Sequence, residues 1–218
     1  MDKIVLEFLH KLKENNNRDW FNANKDQYEK ARQEAEHFVD HIILEMQKID
    51  KNIGTLTSKQ TMFRIYRDVR FSKDKSPYKT YFGAFIAPGG RKSTKAGYYI
   101  HIAPEGTFVG GGAYHPMGEQ LKKIRSEIYY NLAEFEKITS NKQFKNVFGE
   151  LKGDRLVRPP QGFPKDFDGI ELLKFKDYTV FFTLSDKEVL KPDFMNVVKN
   201  AFKTMKPLND FLNRAMTT

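Results

Sequence analysis

The chain contains no cysteine. That absence excludes disulfides, thiolate nucleophiles and Cys-based zinc or iron–sulfur sites. Tryptophan occurs once, at Trp20. No apolar run approaches the roughly 20 residues that a membrane-spanning helix needs. The opening stretch, MDKIVLEFLHKLKENNN, alternates apolar and charged residues at helical spacing, which argues against a signal peptide. A cytoplasmic protein with no membrane partner is predicted. Chemical signatures are also missing: there is no G-x-x-x-x-G-K-[ST] loop, and no G-x-S-x-G elbow, paired histidine-carboxylate motif or closely spaced acid pair supports a specific mechanism. No cofactor and no metal is expected.

Aromatic residues are plentiful. The 218 residues include 19 Phe and 10 Tyr, and 39% are hydrophobic, ample material for a core. A charged fraction of 30% without low-complexity sequence argues against disorder. Neither an internal repeat nor a linker interrupts the chain, so residues 1–218 are expected to form a single domain.

Hydrophobic spacing gives the element order. Ile4, Val5, Phe8, Leu9 and Leu12 mark a short helix that stops at Asn15-Asn16-Asn17. Trp20 and Phe21 are expected to anchor it against a longer helix over 25–49, whose stripe is Tyr28, Ala31, Ala35, Phe38, Ile42, Met46 and Ile49. Asn24 and Gln27 have the spacing of a capping box. Strands are predicted near 62–67, 80–87, 97–103 and 107–113, with a hairpin turning at Pro104-Glu105-Gly106 and a late strand over 178–184. Residues 62–71 also fit helical spacing. Helical stripes recur after residue 118, and Ser185 with Glu188 forms a second capping box. The last helix, over 193–206, should kink or break at Pro207. Helices and strands segregated in this way predict an α+β fold with a mainly antiparallel sheet.

Several stretches together, NNNRDWFNANKDQYE, FRIYRDVRFSKDKSPYKT, GYYIHIAPEGTFVGGGAYHP, RPPQGF and LSDKEVLKPDF, resemble the bacterial and fungal family catalogued as domain of unknown function 2461. The resemblance runs over nearly the whole chain. It implies one compact, stand-alone domain and supplies no activity or catalytic residue to carry over.

Function must therefore be sought in the residues. The net charge is +9, and residues 59–95 hold ten cations against only Asp68 and Asp74. Charge concentrated in this way makes a local field that attracts anions. Within it, RIYRDVRFSKDKSPYKT (64–80) interleaves Arg64, Arg67, Arg70, Lys73, Lys75 and Lys79 with Tyr66, Phe71 and Tyr78. Guanidinium forks suit carboxylate or phosphate, and the rings offer stacking faces. Ser72 and Ser76 add hydroxyl donors. If the stretch is extended, Arg67 falls on an apolar face and requires a carboxylate or a bound anion, with Asp68 on the opposite face. If it is helical, Arg64, Arg67 and Arg70 share one edge. The competing structural reading is that these arginines pair with acids and organise the fold.

The other candidates are fewer. A three-residue turn at 104–106 would set Ile100 opposite Gly110, His101 opposite Val109 and Tyr99 opposite Gly111. Gly110-Gly111-Gly112 then marks a close approach, either of a ligand or of the ring of Tyr98 or Tyr99. His37 and His41 lie one helical turn apart but on the polar face, without a third ligand, and read as surface residues. His101 and His115 remain as acid–base candidates. Asp68, Asp74 and His101 are the catalytic set the sequence allows, if the fold brings them together. Three readings result: a binding domain for an anionic small molecule or nucleic acid, through Arg64, Arg67, Arg70, Ser72, Lys73, Lys75, Tyr78 and Lys79; an enzyme acting on a phosphorylated substrate, with an arginine clamp and His101 moving protons; and an interaction scaffold without a ligand.

Overall fold

The carboxylate of Asp2 accepts a hydrogen bond from the Ile4 N–H at 2.9 Å, satisfying a donor that a helix start leaves orphaned. It opens α1 (Lys3–Glu14) in a computed structural model that describes residues 1–217. Asn17 caps α2 (Arg18–Ala23) in the same way, and α3 (Lys25–Ile49) and α4 (Ser58–Thr61) complete the first helical block. Three strands follow: β1 (Phe82–Ile86), β2 (Gly97–Ile102) and β3 (Thr107–Ala113). Helices then return as α5 (Gly118–Tyr130), α6 (Leu132–Thr139), α7 (Lys142–Phe148) and α8 (Ile170–Leu173). The chain ends with β4 (Tyr178–Leu184), α9 (Asp186–Val189) and α10 (Phe194–Thr217). The strands form one antiparallel sheet in the order β1-β2-β3-β4, so the class is α+β. Among the described residues, no helix is long and apolar enough to cross a membrane.

Contacts divide the chain into two compact units, each built from separate segments. The first comprises residues 1–91, 99–109 and 183–200. Here α1 and α3 bury facing stripes, and Phe8 meets Trp20 at 6.1 Å, Phe21 at 6.4 Å and Tyr28 at 5.8 Å. The first turn of α10 joins this core through Phe194, whose ring stacks on Phe38 at 5.0 Å. The second unit comprises residues 92–98, 110–182 and the chain from Ala201 onward. Its core gathers Phe202 on Tyr98 at 5.1 Å and Phe211 on Phe135 at 5.1 Å. Fully burying such a ring contributes about 1.5–3 kcal/mol relative to leaving it exposed.

Four local expectations are corrected. Residues 62–67 are not a strand of the sheet. They make isolated bridges, Met62 to Ala84 and Tyr66 to Tyr78, because the segment switches partners. Phe63 donates to Gly83, whereas Arg67 donates to Pro77, which has no N–H to return. Asn24 is no capping box: its amide donates back to the Trp20 carbonyl at 2.9 Å and its carbonyl accepts from Gln27. Pro207 does not interrupt α10. A proline inside a helix costs roughly 3 kcal/mol, and Phe202, Met205, Leu208, Phe211 and Leu212, all buried around it, outweigh that.

The fourth correction is the hairpin register. The ring of Phe108 stacks on His101 at 4.6 Å and lies 5.6 Å from Tyr99, while Val109 is buried on the other face. His101 therefore shares its face with Phe108. Gly106 N–H closes a turn onto the Ala103 carbonyl with Glu105 at φ 58°, and Thr107 hydroxyl donates to the same carbonyl. The pairing is offset from the expected one by one residue, and such a slip exchanges the two faces of a strand.

Candidate functional site

The basic stretch begins as an irregular extended segment, and its polar partners are mostly within reach of the chain itself. Arg67 pairs with Asp74 and donates to the Ser72 hydroxyl at 3.3 Å. Its side chain is 25% exposed and lies on the more buried side of the segment with Phe63, Ile65 and Val69, and Asp74 supplies the carboxylate that the extended reading required. Arg70 forks onto Asp68 through Nε at 2.9 Å and Nη2 at 2.6 Å. The Lys75 ammonium donates to the Val69 carbonyl at 3.0 Å. Asp74 sits well below the usual carboxylate range because the Ser76 hydroxyl and backbone N–H donate to it, with Arg67 adding to the effect. Asp68 is lowered by its bonds from Arg70. Tyr78 is buried, stacked on Phe21 at 3.9 Å, and its N–H and carbonyl are both bonded to the Asn16 amide. It has no face left for a ligand.

Arg64 and Lys79 differ from these. The Arg64 guanidinium is exposed and forms no ion pair or hydrogen bond among the described residues. Lys79 lies with its ammonium 5.4 Å from the centre of the Phe63 ring and 5.8 Å from that of Tyr81. Its pKa is lowered first by burial and then by the positive charge of Arg64. Two cations are thus held near one another, one of them partly desolvated.

Five aromatic side chains continue from Lys79 in a closed circuit. Tyr81 meets His101 at 4.0 Å, His101 meets Phe108 at 4.6 Å, Phe108 meets Tyr99 at 5.6 Å, and Tyr99 meets Phe63 at 6.4 Å. All five are half-buried. They lie on the face of β2 and β3 opposite the buried Ile100, Ile102 and Val109. The fold makes room for them with Gly83, where a Cβ would come within 2.7 Å of the Tyr99 hydroxyl. Tyr99 in turn shares a 3.3 Å hydrogen bond with His101 Nδ1. Farther along the basic stretch, Tyr66 is 50% exposed and Phe71 95% exposed, the latter beside the Arg70 guanidinium at 5.9 Å.

The catalytic set is not gathered. Asp68 and Asp74 bond to Arg70, Arg67 and Ser76, and neither touches His101. Burial pushes the His101 pKa down to about 4, so the ring is neutral at neutral pH, and no charged group contributes to the shift. His115 donates its backbone N–H to the buried Asp177 at 2.6 Å and places Nδ1 3.1 Å from the same oxygen. His41 turns a ring nitrogen onto the His37 carbonyl at 2.9 Å. Among the described residues, no three His, Asp or Glu side chains are placed to hold a metal ion.

The three glycines are explained by backbone. A Cβ on Gly110 would lie 2.2 Å from the Val180 carbonyl, one on Gly111 2.0 Å from that of Gly97, and one on Gly112 2.1 Å from that of Tyr178. Neighbouring strands make the close approach, and the rings of Tyr98 and Tyr99 do not. A groove of about 630 Å³ between α6, α7 and α10 is lined by Lys137, Phe144, Lys203 and Arg214 among others, with Arg214 occupied by Glu127 and Glu134.

Phe63, Tyr81 and Phe108 were not singled out in the sequence. The signal was present in the alternation of β2, where Tyr99 and His101 point away from Tyr98, Ile100 and Ile102. Reading it required the hairpin register. The chain belongs to the family described as conserved hypothetical protein (DUF2461), whose model matches residues 4–211. No curated protein and no solved structure matches it.

Proposed function

We propose that the protein is a binding domain for a phosphate-bearing anion, taken up at Arg64 and Lys79, with Lys73 and Lys75 of the following loop adding positive charge. Arg67, Arg70 and Ser72 shape that loop through Asp74 and Asp68. The observation that carries this reading is the like-charged pair. Folding holds Lys79 partly desolvated and within the field of Arg64. Such a pair opposes folding in the free protein, and an anion between the two cations reverses the sign of the interaction. Arginine and lysine are the donors that phosphate recognition employs.

Isothermal titration with pyrophosphate at low salt tests the reading. Wild-type protein is expected to bind, and Lys79→Met to bind roughly tenfold or more weakly, the worth of one charge-assisted hydrogen bond. Undiminished binding by the variant overturns the assignment.

A further inference from the structure

An exposed arginine and a half-buried lysine can divide the two ends of one ligand between them. Building on the anion-binding reading, we infer that the protein captures a phosphorylated aldehyde or ketone, its phosphate on Arg64 and its carbonyl carbon joined to Lys79 Nζ as an imine. Four observations point this way. Lys79 is fixed at its base, where its N–H donates to the Ile65 carbonyl at 2.7 Å and the neighbouring Tyr78 backbone is bonded to Asn16. Its Nζ lies beside two rings, 5.4 Å from the centre of Phe63 and 5.8 Å from that of Tyr81. Lys48, Lys174 and Lys206 each hold a carboxylate, whereas Lys79 has no ion pair or hydrogen bond from its ammonium among the described residues. That nitrogen still keeps contact with solvent, so a small carbonyl compound can reach it.

A lysine desolvated by apolar neighbours and set beside another cation is the arrangement that makes an amine nucleophilic near neutral pH. Burial, and then the charge of Arg64, lower the Lys79 pKa and so favour the neutral amine. The lone pair of Nζ adds to the carbonyl carbon. The carbonyl oxygen then leaves as water with the two amine protons, and a C=N double bond remains. No oxidant or reductant is consumed. An imine is a weaker base than its parent amine, so the product also relieves the repulsion from Arg64. A carbonyl compound without phosphate forgoes the contact to Arg64, and a phosphate without a carbonyl forms no bond.

The test uses pyridoxal phosphate as the probe and pyridoxal as its phosphate-free counterpart. Protein is incubated with each at neutral pH and low salt, reduced with borohydride to fix any imine as a secondary amine, and mapped by peptide mass spectrometry. The label is expected on Lys79 ahead of the flanking Lys73 and Lys75, at a roughly tenfold lower concentration of pyridoxal phosphate than of pyridoxal, the worth of the phosphate contact. Pyrophosphate, which engages both cations, is expected to protect Lys79. Lys79→Arg keeps the positive charge but has no primary amine, and should lose this label. Arg64→Gln should reduce labelling by pyridoxal phosphate to the level of pyridoxal. Thermal melts establish which variants are native, and mapping and protection of the wild type decide the matter without them. Label on exposed lysines or on the amino terminus, whose amine burial also lowers, with none on Lys79 while pyrophosphate still binds, overturns the imine and leaves the anion site standing. Equal labelling of Lys79 by the two aldehydes, unprotected by pyrophosphate, overturns the phosphate contact at Arg64 and with it both readings.

Discussion

Arg64 acts on Lys79 as a like charge, adding to the burial that already holds the lysine below its ordinary pKa. Asp68 is near enough to feel Arg64 but is bonded to Arg70. A cation kept where folding disfavours it calls for a compensating role, and anion binding supplies one.

Stability and binding should therefore respond in opposite directions at this position. Lys79→Met retains a stem across the rings of Phe63 and Tyr81 while deleting the desolvated charge. Its Tm is expected to rise by about 1–3 °C at neutral pH while anion affinity falls. The sign follows from the lowered pKa: the wild type carries the full penalty below its folded pKa and recovers it as pH rises toward 10.5, the ordinary lysine value. The difference in Tm should therefore narrow in alkaline buffer. A lower Tm for the variant would mean that the contact between ammonium and rings outweighs its desolvation.

Salt dependence counts the cations engaged. If about three of Arg64, Lys73, Lys75 and Lys79 contact phosphates, log affinity for a single-stranded oligonucleotide used as a polyanionic probe should fall with log salt at a slope near −2. Asp74→Asn releases Arg67 from its ion pair, so it should strengthen binding and steepen the slope by about 0.7. An unchanged slope would place Arg67 out of reach of the ligand.

Acid should weaken the fold through His101. With its pKa at about 4 in the folded chain against an ordinary histidine value of 6.5, the neutral ring is favoured by folding. Its contribution is intact at pH 7 and is lost as pH falls from 6.5 to 4. The loss is about 1–2 kcal/mol once solvent screening of a half-exposed ring is allowed for. His101→Phe, which preserves stacking on Phe108, should lose that much less stability between pH 7 and pH 4 in urea titrations. Asp68, Asp74 and Glu188 also titrate below the usual range, and both proteins share that decline. Identical pH profiles would contradict the burial of His101.

Glycine positions in the hairpin should divide sharply. Gly110→Ala drives a Cβ to 2.2 Å from the Val180 carbonyl and 2.6 Å from Phe181 Cβ, and is expected to destabilise by more than about 3 kcal/mol. Gly106→Ala meets nothing closer than 3.7 Å and should melt within a few degrees of the wild type. A tolerated Gly110→Ala would imply that β3 and β4 are not closely paired there.

Long periodic segments were legible in the sequence because one burial rule dominates them. The stripe of α3 and the core of α10 follow from 3.6-residue spacing, and the strands at 82–86 and 178–184 follow from their Phe-, Tyr- and Val-rich runs. Residues 62–67 misled because aromatic and β-branched content gives a strand its composition but not its partner, and Pro77 denies it a continuous ladder. The charged stretch was visible by composition, yet composition does not say which cations are already paired. Only geometry separates Arg67, bonded to Asp74, from Arg64. The aromatic circuit depended on a register that Glu105, adopting a left-handed φ, shifts by one residue.

The central claim rests on Lys79, and its titration tests that claim most directly. Nuclear magnetic resonance of 13Cε-labelled lysine, assigned by comparison with Lys79→Met, reports its pKa with and without pyrophosphate. The expected result is a pKa below the ordinary lysine value in the free protein that rises when the anion is added, as a phosphate displaces the influence of Arg64. An unperturbed Lys79 in the free protein, or a lowered pKa that pyrophosphate leaves unmoved, would contradict an anion site at Arg64 and Lys79.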